Sequence, residues 1–194
     1  MLLKGLARKF EECRYLEIGT WLGESLVNIA SIAKECISIS LSDKELQLQG
    51  ATEEEILIQR IFSKNLSNIK HIKHNSKTFN FSSIGKFDFI FIDGDHSYKG
   101  VKNDTENAFK VLKDNNSIIA WHDYSDLTGN TINWGVLAGI LDGCPKKNLK
   151  NLYHVSNTMC LIYINKKFNV KDIPSLIPNK TFTMNLSLKE FKNQ

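Results

Sequence analysis

The sequence has 194 residues, of which 42% are hydrophobic and 24% are charged, and its formal net charge is +4. These fractions are typical of a globular chain and exclude collagen-like, disordered and disulfide-rich proteins. The four cysteines are scattered without a CxxC pair, so neither a disulfide framework nor a zinc site is predicted. Because the sequence shows no long apolar run and no signal-peptide core, we expect a cytoplasmic protein with no membrane partner.

The positive charge is carried by lysines that are spread along the chain. The densest group consists of Lys64, Lys70, Lys73 and Lys77. A phosphate-binding face usually concentrates its basic residues on one element. We therefore expect a solvated surface here and no nucleic-acid partner.

Short apolar runs alternate with longer amphipathic segments, which is the pattern of a doubly wound, mostly parallel sheet in a single α/β domain. The predicted strands, in chain order, are 15–18, 36–41, 69–73, 87–92, 117–121, 152–154 and 159–164. The predicted helices are 2–12, 24–34, 52–64, 98–112 and 136–141. The sheet would thus have seven strands, and the last two would form an antiparallel pair at its edge.

Polar side chains stand at the points where several predicted strands end. They are Glu17, Asp93, Asp95, His96, His122 and Asp123. Open α/β sheets bind their ligands outside the carboxyl ends of the strands. Turns favour Asp on conformational grounds alone, but the coincidence at several strand ends predicts an active site.

The loop at 16–25, LEIGTWLGES, indicates the kind of ligand. It lacks the three glycines of the dinucleotide fingerprint, which argues against a dehydrogenase, and it is not a phosphate-binding P-loop. Gly19 and Gly23 let the backbone approach a ligand, and Ser25 at a helix start can bind a carboxylate. The Glu17 carboxylate suits a cation instead. S-adenosylmethionine, a zwitterion with an extra positive charge, meets both requirements.

This loop resembles motif I of class I S-adenosylmethionine-dependent methyltransferases, in the E-[IL]-G-x-[aromatic]-x-G-x-S form of metal-dependent O-methyltransferases. Residues 87–101, FDFIFIDGDHSYKGV, are similar to the F-D-x-[IV]-[FY]-[IV]-D-G-x-H-x-Y-x-x-V segment of the macrocin O-methyltransferase-like group. WHDY at 121–124 looks like that group's H-D-[YF], and NTMC at 157–160 resembles its closing T-x-x segment. The resemblance extends over 15–164 and implies a Rossmann-like fold.

The resemblance also implies a set of cofactor-binding residues at the strand ends. They are Glu17, Gly19, Thr20, Gly23 and Ser25 around the methionine end, Ser40 beside the ribose, Asn75 and Ser76 beside the adenine, and Asp93. The family usually has an acidic residue where this chain has Ser40. Asp43 either replaces that acidic residue or merely caps the next segment.

The same resemblance implies a catalytic centre that contains a divalent cation. Asp93, His122 and Asp123 would hold it beside the acceptor hydroxyl. Because Mg²⁺ prefers oxygen ligands, His122 favours Mn²⁺ or another transition metal over Mg²⁺. The alternative is that both aspartates bind loop backbone and His122 caps a turn.

The candidate catalytic residues are His96 and Asp93. An imidazole, with a pKa of about 6.5, is suited to take a proton from an acceptor hydroxyl. His96 is therefore predicted to be the general base. The alternative is that this histidine only anchors its loop over the site.

The predicted function is S-adenosylmethionine-dependent methylation of a hydroxyl on a small molecule or sugar, with N-methylation left open. The alternative is a non-catalytic cofactor-binding module or inactive homologue that acts with a partner. The methyltransferase core is predicted at 1–165, with a short N-terminal helix within 1–13, and a polar, extended or flexible tail at 166–194. The acceptor pocket would be completed by that helix, the loop after Asp123, the tail or a second subunit of a homo-oligomer.

Overall fold

The computed structural model describes residues 2–127 and 131–170. The strands are β1 Arg14–Ile18, β2 Glu35–Ser40, β3 Ile69–Lys73, β4 Phe89–Ile92, β5 Ile118–Trp121, β6 Leu152–His154 and β7 Leu161–Ile164. The helices are α1 Leu2–Ala7, α2 Glu24–Ala30, α3 Asp43–Leu48, α4 Glu53–Leu57, α5 Tyr98–Lys110 and α6 Trp134–Gly143, with short 3₁₀ helices at Phe81–Ile84 and Lys146–Asn151.

The strands form one seven-stranded sheet in the order β3-β2-β1-β4-β5-β7-β6. The first five strands are parallel, whereas β7 is antiparallel to both β5 and β6. The predicted mostly parallel, doubly wound sheet with antiparallel pairing at one edge is therefore confirmed. β1 lies between β2 and β4, so the strand order reverses there, and a crevice opens at the carboxyl ends of these strands.

Both faces of the sheet are covered, and each buries its own apolar cluster. Ile90 and Ile92 of β4 pack into the cluster beneath α5 and α6, whereas Phe89 and Phe91 pack into the cluster beneath α1 and α2. Burial on both faces explains why the strand is apolar throughout. The central strands are thus a rigid support for the residues that follow them.

The helix pair α5 and α6 packs closely because α6 carries glycines on the contacting face. A Cβ at Gly139 would lie 2.8 Å from the carbonyl oxygen of Tyr98, and one at Gly143 would lie 2.7 Å from that of Lys102. The start of α5 is held in this way against α6. The loop that connects β4 to α5 is anchored by the same contact.

The helix bounds were predicted less well than the strands. The helices expected at 2–12 and 24–34 end at Ala7 and Ala30, because the residues that follow form the turns into β1 and β2. In the second turn, the backbone N–H groups of Ile32 and Ala33 both donate to the carbonyl of Ile29. The chain can therefore enter β2 directly.

The region between β2 and β3 differs most from the prediction. The helix expected at 52–64 starts with the capping box at Thr52 but ends at Leu57, and Arg60 has a φ of 61°. A further helix, α3, precedes it and has its own capping box at Ser42. Neither helix contains a buried residue, so the tertiary packing that usually stabilises longer helices is missing.

The predicted tail at 166–194 lies mostly outside the described residues, which end at Val170. Within the described ranges, every helix is too short or too polar to cross a bilayer.

Candidate active site

A cavity of about 390 Å³ lies at the carboxyl ends of β1, β2, β3 and β4. Cavities of this size and position commonly hold small ligands or cofactors. Its lining includes six of the predicted cofactor residues, namely Gly19, Thr20, Ser40, Asn75, Ser76 and Asp93. A larger, shallow groove of about 680 Å³ lies at the opposite end of the sheet, around Asp88 and Lys113, and the predicted site residues are not part of its lining.

The loop after β1 forms one wall of the cavity through a backbone contact that requires glycine. Gly19 has a φ of 90°, and a Cβ there would lie 2.1 Å from the carbonyl oxygen of Asp93. Gly23, at the N-cap of α2, has a φ of 87°, and a Cβ there would lie 2.2 Å from the side-chain oxygen of Ser63. Trp21, between the two glycines, is 61% exposed and borders the cavity.

Glu17 lies beneath this loop and is fully buried. The Tyr15 hydroxyl donates to its carboxyl group at 2.6 Å, and the Ser25 hydroxyl lies 2.9 Å from both carboxyl oxygens. Burial raises the pKa of Glu17 to about 8 despite these hydrogen bonds. The carboxyl group is therefore mostly protonated at neutral pH, although the sequence argument treated it as an anion.

Glu17, Gly23 and Ser25 do not border the cavity itself. Their structural role is to support the loop from below and from its far end. Direct contact between these three residues and a cofactor stays a prediction.

The carboxylates of Asp93 and Asp123 and the imidazoles of His96 and His122 meet at the edge of the cavity. The Nε2 atom of His96 lies 3.6 Å from Asp93 Oδ1 and 3.4 Å from Asp123 Oδ2. The Nδ1 atom of His122 lies 3.3 Å from Asp93 Oδ1 and 2.9 Å from Asp123 Oδ1. The ends of β4 and β5 thus bring together the four residues that the sequence predicted for catalysis and metal binding.

The charged side chains in this cluster shift one another's pKa values. Burial alone would raise the pKa of Asp93, but the contacts with His122 and then His96 outweigh it and lower the pKa to about 2. Asp93 and then Asp123 raise the pKa of His122 to about 9. Asp93 also raises the pKa of His96. The cluster therefore favours an ionised Asp93 beside imidazoles that tend to carry a proton.

The orientation of His122 is informative about metal binding. Its Nδ1 atom is buried, and neither nearby carboxylate satisfies it with hydrogen-bond geometry among the described residues. One ligand atom each from Asp93, His122 and Asp123 can be chosen so that all three lie within 4.8 Å of one another. Asp123 also has a φ of 54°, and strained backbone of this kind is concentrated at functional sites. These residues fit a divalent cation.

Ser40 ends β2, borders the cavity and is contacted by a residue that the sequence analysis missed. The Nη1 atom of Arg60 donates to the Ser40 hydroxyl at 2.9 Å, and Nη2 donates to Asp43 at 3.0 Å. The other Asp43 oxygen accepts from Lys73 at 2.7 Å. Asp43 is thus occupied by two cations, and the N-cap of α3 is Ser42.

Further cavity residues were also not predicted from the sequence. They include Trp21, Leu46, Gln49, Gln59, His74 and Lys77, whereas Asp95, one of the predicted strand-end residues, does border the cavity. Several come from α3 and the segment after α4, whose positions the sequence pattern did not reveal. Arg60 had one signal, because it is an isolated arginine in a lysine-rich chain and buried ion pairs favour arginine.

The fold and the cavity at its switch point define the class of this domain as a Rossmann-like α/β domain. Residues 16–124 match the profile of a family described as "Methyltransferase domain". This match covers more than half of the chain, and the chain belongs to that family.

The chain is similar to one viral protein in sequence and to two solved methyltransferases in fold. An uncharacterized protein of Acanthamoeba polyphaga mimivirus is 31% identical over 141 residues, which cover 64% of this chain and 58% of that protein. The O-methyltransferase from Bacillus cereus, solved with SAH, has a TM-score of 0.55 at 18% identity. The alignment covers 84% of this chain and 79% of that protein. The N-methyltransferase NodS from Bradyrhizobium japonicum has a TM-score of 0.53 at 16% identity, with coverage of 84% and 90%. The structural likenesses show a shared fold.

The protonated state of Glu17 predicts a specific pH dependence of stability. Its pKa is about 8 in the folded protein, against about 4.3 in an unfolded chain. Between these values the folded state holds a proton that the unfolded state has lost, so the free energy of unfolding falls as pH rises. Glu17→Gln keeps an acceptor for Tyr15 and is expected to make this decline shallower, with the contribution of the raised His122 pKa remaining above about pH 6.5.

Urea denaturation between pH 5 and pH 8 measures the effect. Glu24→Gln is the matched control, because Glu24 is an exposed acid on α2, and it should retain the wild-type slope. Equal slopes in the wild type and both variants would contradict the assignment of a buried, protonated Glu17.

Proposed function

We propose that the protein is an S-adenosylmethionine-dependent methyltransferase that methylates a hydroxyl group on a small molecule or sugar, as in the macrocin O-methyltransferase-like group. The observation that carries the proposal is the position of Asp93. This residue borders the cavity on one side and belongs to the carboxylate–imidazole cluster on the other. A cofactor in the cavity would thus lie next to groups that can handle an acceptor proton.

The residues along the cavity wall form three groups, one for each part of S-adenosylmethionine. The glycine loop would receive the methionine part, Ser40 the ribose, and Asn75 with Ser76 the adenine. The SAH-bound O-methyltransferase from Bacillus cereus, with the same fold, supports this assignment. Because N-methyltransferases such as NodS share the fold as well, the choice of oxygen as acceptor rests on the catalytic cluster.

His96 is proposed to be the general base in its neutral form, which becomes more populated as pH rises because Asp93 raises the pKa of this ring. Its Nε2 atom would take the proton of the acceptor hydroxyl while the oxygen attacks the methyl carbon. The carbon–sulfur bond breaks in the same step, and the sulfonium becomes the neutral thioether of S-adenosylhomocysteine. The carboxylates beside His96 stabilise the imidazolium that forms.

Asp93, His122 and Asp123 are proposed to hold a divalent cation, with Mn²⁺ favoured over Mg²⁺ because one ligand is nitrogen. When bound, such a cation would lower the pKa of a neighbouring hydroxyl and stabilise its negative charge. The unsatisfied Nδ1 atom of His122 supports this role, and the cation would replace the proton that the raised pKa keeps on this ring at neutral pH.

A non-catalytic binding module remains the second candidate, and one observation favours it. Trp134 at the start of α6 is 73% exposed and Leu127 is 60% exposed, so the acceptor side is open within the described residues. A partner protein or a second subunit could cover these side chains. The same observation is compatible with an enzyme that is a homo-oligomer.

Calorimetry tests the cofactor assignment directly. The wild-type protein is titrated with S-adenosylmethionine, S-adenosylhomocysteine and NAD. Binding of both sulfur compounds and not of NAD is expected, because the loop lacks the dinucleotide fingerprint. Failure to bind either sulfur compound would refute the proposed function.

Replacement of His96 tests the catalytic assignment. His96→Ala is expected to lower kcat by about 100- to 10,000-fold, the usual contribution of a general base, with unchanged affinity for S-adenosylhomocysteine. Formation of S-adenosylhomocysteine is followed with a panel of phenolic, catecholic and glycosylated acceptors. Lys99→Ala, an exposed change on the same loop–helix segment, is the control. If His96→Ala keeps the wild-type turnover, the base role is excluded. If the wild-type protein binds the cofactor but methylates no acceptor, the non-catalytic module is favoured.

Manganese binding tests the metal site without reference to activity. Mn²⁺ affinity is measured by calorimetry for the wild type, His122→Ala and His154→Ala. Because loss of an outer-shell partner already costs about 10- to 100-fold in metal affinity, His122→Ala should weaken binding by at least that much. His154, which pairs with Tyr124 outside the cluster, should be replaceable without effect. Equal affinities in the two variants would argue against this cation site.

A further inference from the structure

The end of β2 presents an unusual combination of groups to the cavity. In dinucleotide-binding sheets, an acidic residue about 20 positions after the glycine loop accepts hydrogen bonds from the ribose. This chain has Ser40 at the corresponding strand end, and the nearby carboxylate of Asp43 is held by Arg60 and Lys73. The described part of this wall therefore offers a hydroxyl group where a free carboxylate would be expected.

Arg60 connects this hydroxyl to the opposite wall of the cavity. Its side chain is only 6% exposed and reaches Ser40 with one arm and Asp43 with the other. Its backbone N–H donates to the carbonyl of Trp21 at 2.8 Å, within the glycine loop. Arg60 thus has a fixed position between the loop after β1 and the end of β2.

The contact with arginine determines how the Ser40 hydroxyl can be used. A guanidinium group only donates hydrogen bonds, and a serine hydroxyl has one donor and two acceptor sites. Arg60 therefore occupies an acceptor site of Ser40 and leaves its O–H group available. Because hydrogen bonds in a chain polarise one another, a charged donor behind the hydroxyl makes its O–H a stronger donor.

We propose that Arg60 is a positioning residue that turns the Ser40 hydroxyl into a hydrogen-bond donor for a ribose oxygen of the cofactor. The ribose is then recognised by a donor backed by a positive charge, and not by a carboxylate that accepts from both ribose hydroxyls. This inference rests on the proposed function, since it assumes an adenosine-containing cofactor in the cavity.

A purely structural role for Arg60 would have a different consequence. If the arginine only anchored the segment after α4 through Asp43, its removal would weaken all ligands alike. A positioning role predicts a selective loss, confined to ligands that carry ribose hydroxyls. The decisive quantity is therefore the ratio of affinities for a ribose ligand and its deoxygenated analogue.

The experiment measures this ratio by calorimetry with S-adenosylhomocysteine and its 2′,3′-dideoxy analogue. The wild type should prefer the ribose compound by about tenfold, the value of one good hydrogen bond to a polarised group. Ser40→Ala and Arg60→Met should both reduce this preference to near unity. Lys73→Met is the matched control, because it removes the other cation on Asp43 without touching Ser40, and it should keep the preference.

The possible results distinguish failure of the proposed function from failure of this inference alone. A wild type that does not bind S-adenosylhomocysteine refutes the proposed function together with this inference. A wild type that binds it without ribose preference, or a Ser40→Ala variant that keeps the preference, overturns the inference alone. A loss in Ser40→Ala but not in Arg60→Met overturns the role of Arg60.

Thermal denaturation verifies that each variant is folded. If Arg60→Met does not fold, Arg60→Lys replaces it. Lysine keeps the positive charge beside Asp43 but lacks the second arm that reaches Ser40. The ribose preference should be lost in this variant as well, and its retention would overturn the positioning role.

Discussion

The backbone contact between Gly19 and Asp93 is the constraint on which the rest of the site depends. The two residues end neighbouring parallel strands, and a Cβ on Gly19 would collide with the Asp93 carbonyl oxygen at 2.1 Å. The loop after β1 therefore lies directly on the end of β4. The carboxylate of Asp93 lies 3.6 Å from His96 Nε2 and 3.3 Å from His122 Nδ1. Asp93 thus belongs both to the cavity lining and to the carboxylate–imidazole cluster.

The acids around this contact differ in charge because their surroundings differ. Glu17 is enclosed by uncharged partners, and burial keeps its carboxyl group protonated near neutral pH. Asp93 is also partly buried, but two imidazoles stabilise its ionised form. The floor of the glycine loop is thus uncharged, whereas Asp93 at the cluster is an anion paired with imidazoles.

The central strands and the cluster at their ends could be predicted from the sequence, whereas the wall formed by α3 and α4 could not. Apolar runs such as 87–92 have a strong pattern because both faces are buried, and motif residues at strand ends follow from the parallel topology. The short helices carry no buried residues, so their sequences hold no core periodicity from which a position could be read. The contact between Arg60 and Ser40 spans 20 residues and depends on a left-handed backbone at Arg60, for which neither composition nor spacing gives a signal.

The end of β2 also shows how a buried arginine can be accommodated without a carboxylate at the strand end. A carboxylate at the end of β2 would face Arg60 and form a buried ion pair with it, whose desolvation offsets much of the Coulomb attraction. With Ser40 in this position, the arginine is satisfied by one hydroxyl and by Asp43, which is partly exposed. The negative charge that compensates Arg60 is thus carried by Asp43 in the first turn of α3. In the proposed ribose contact, the strand end would therefore present a donor to the ligand.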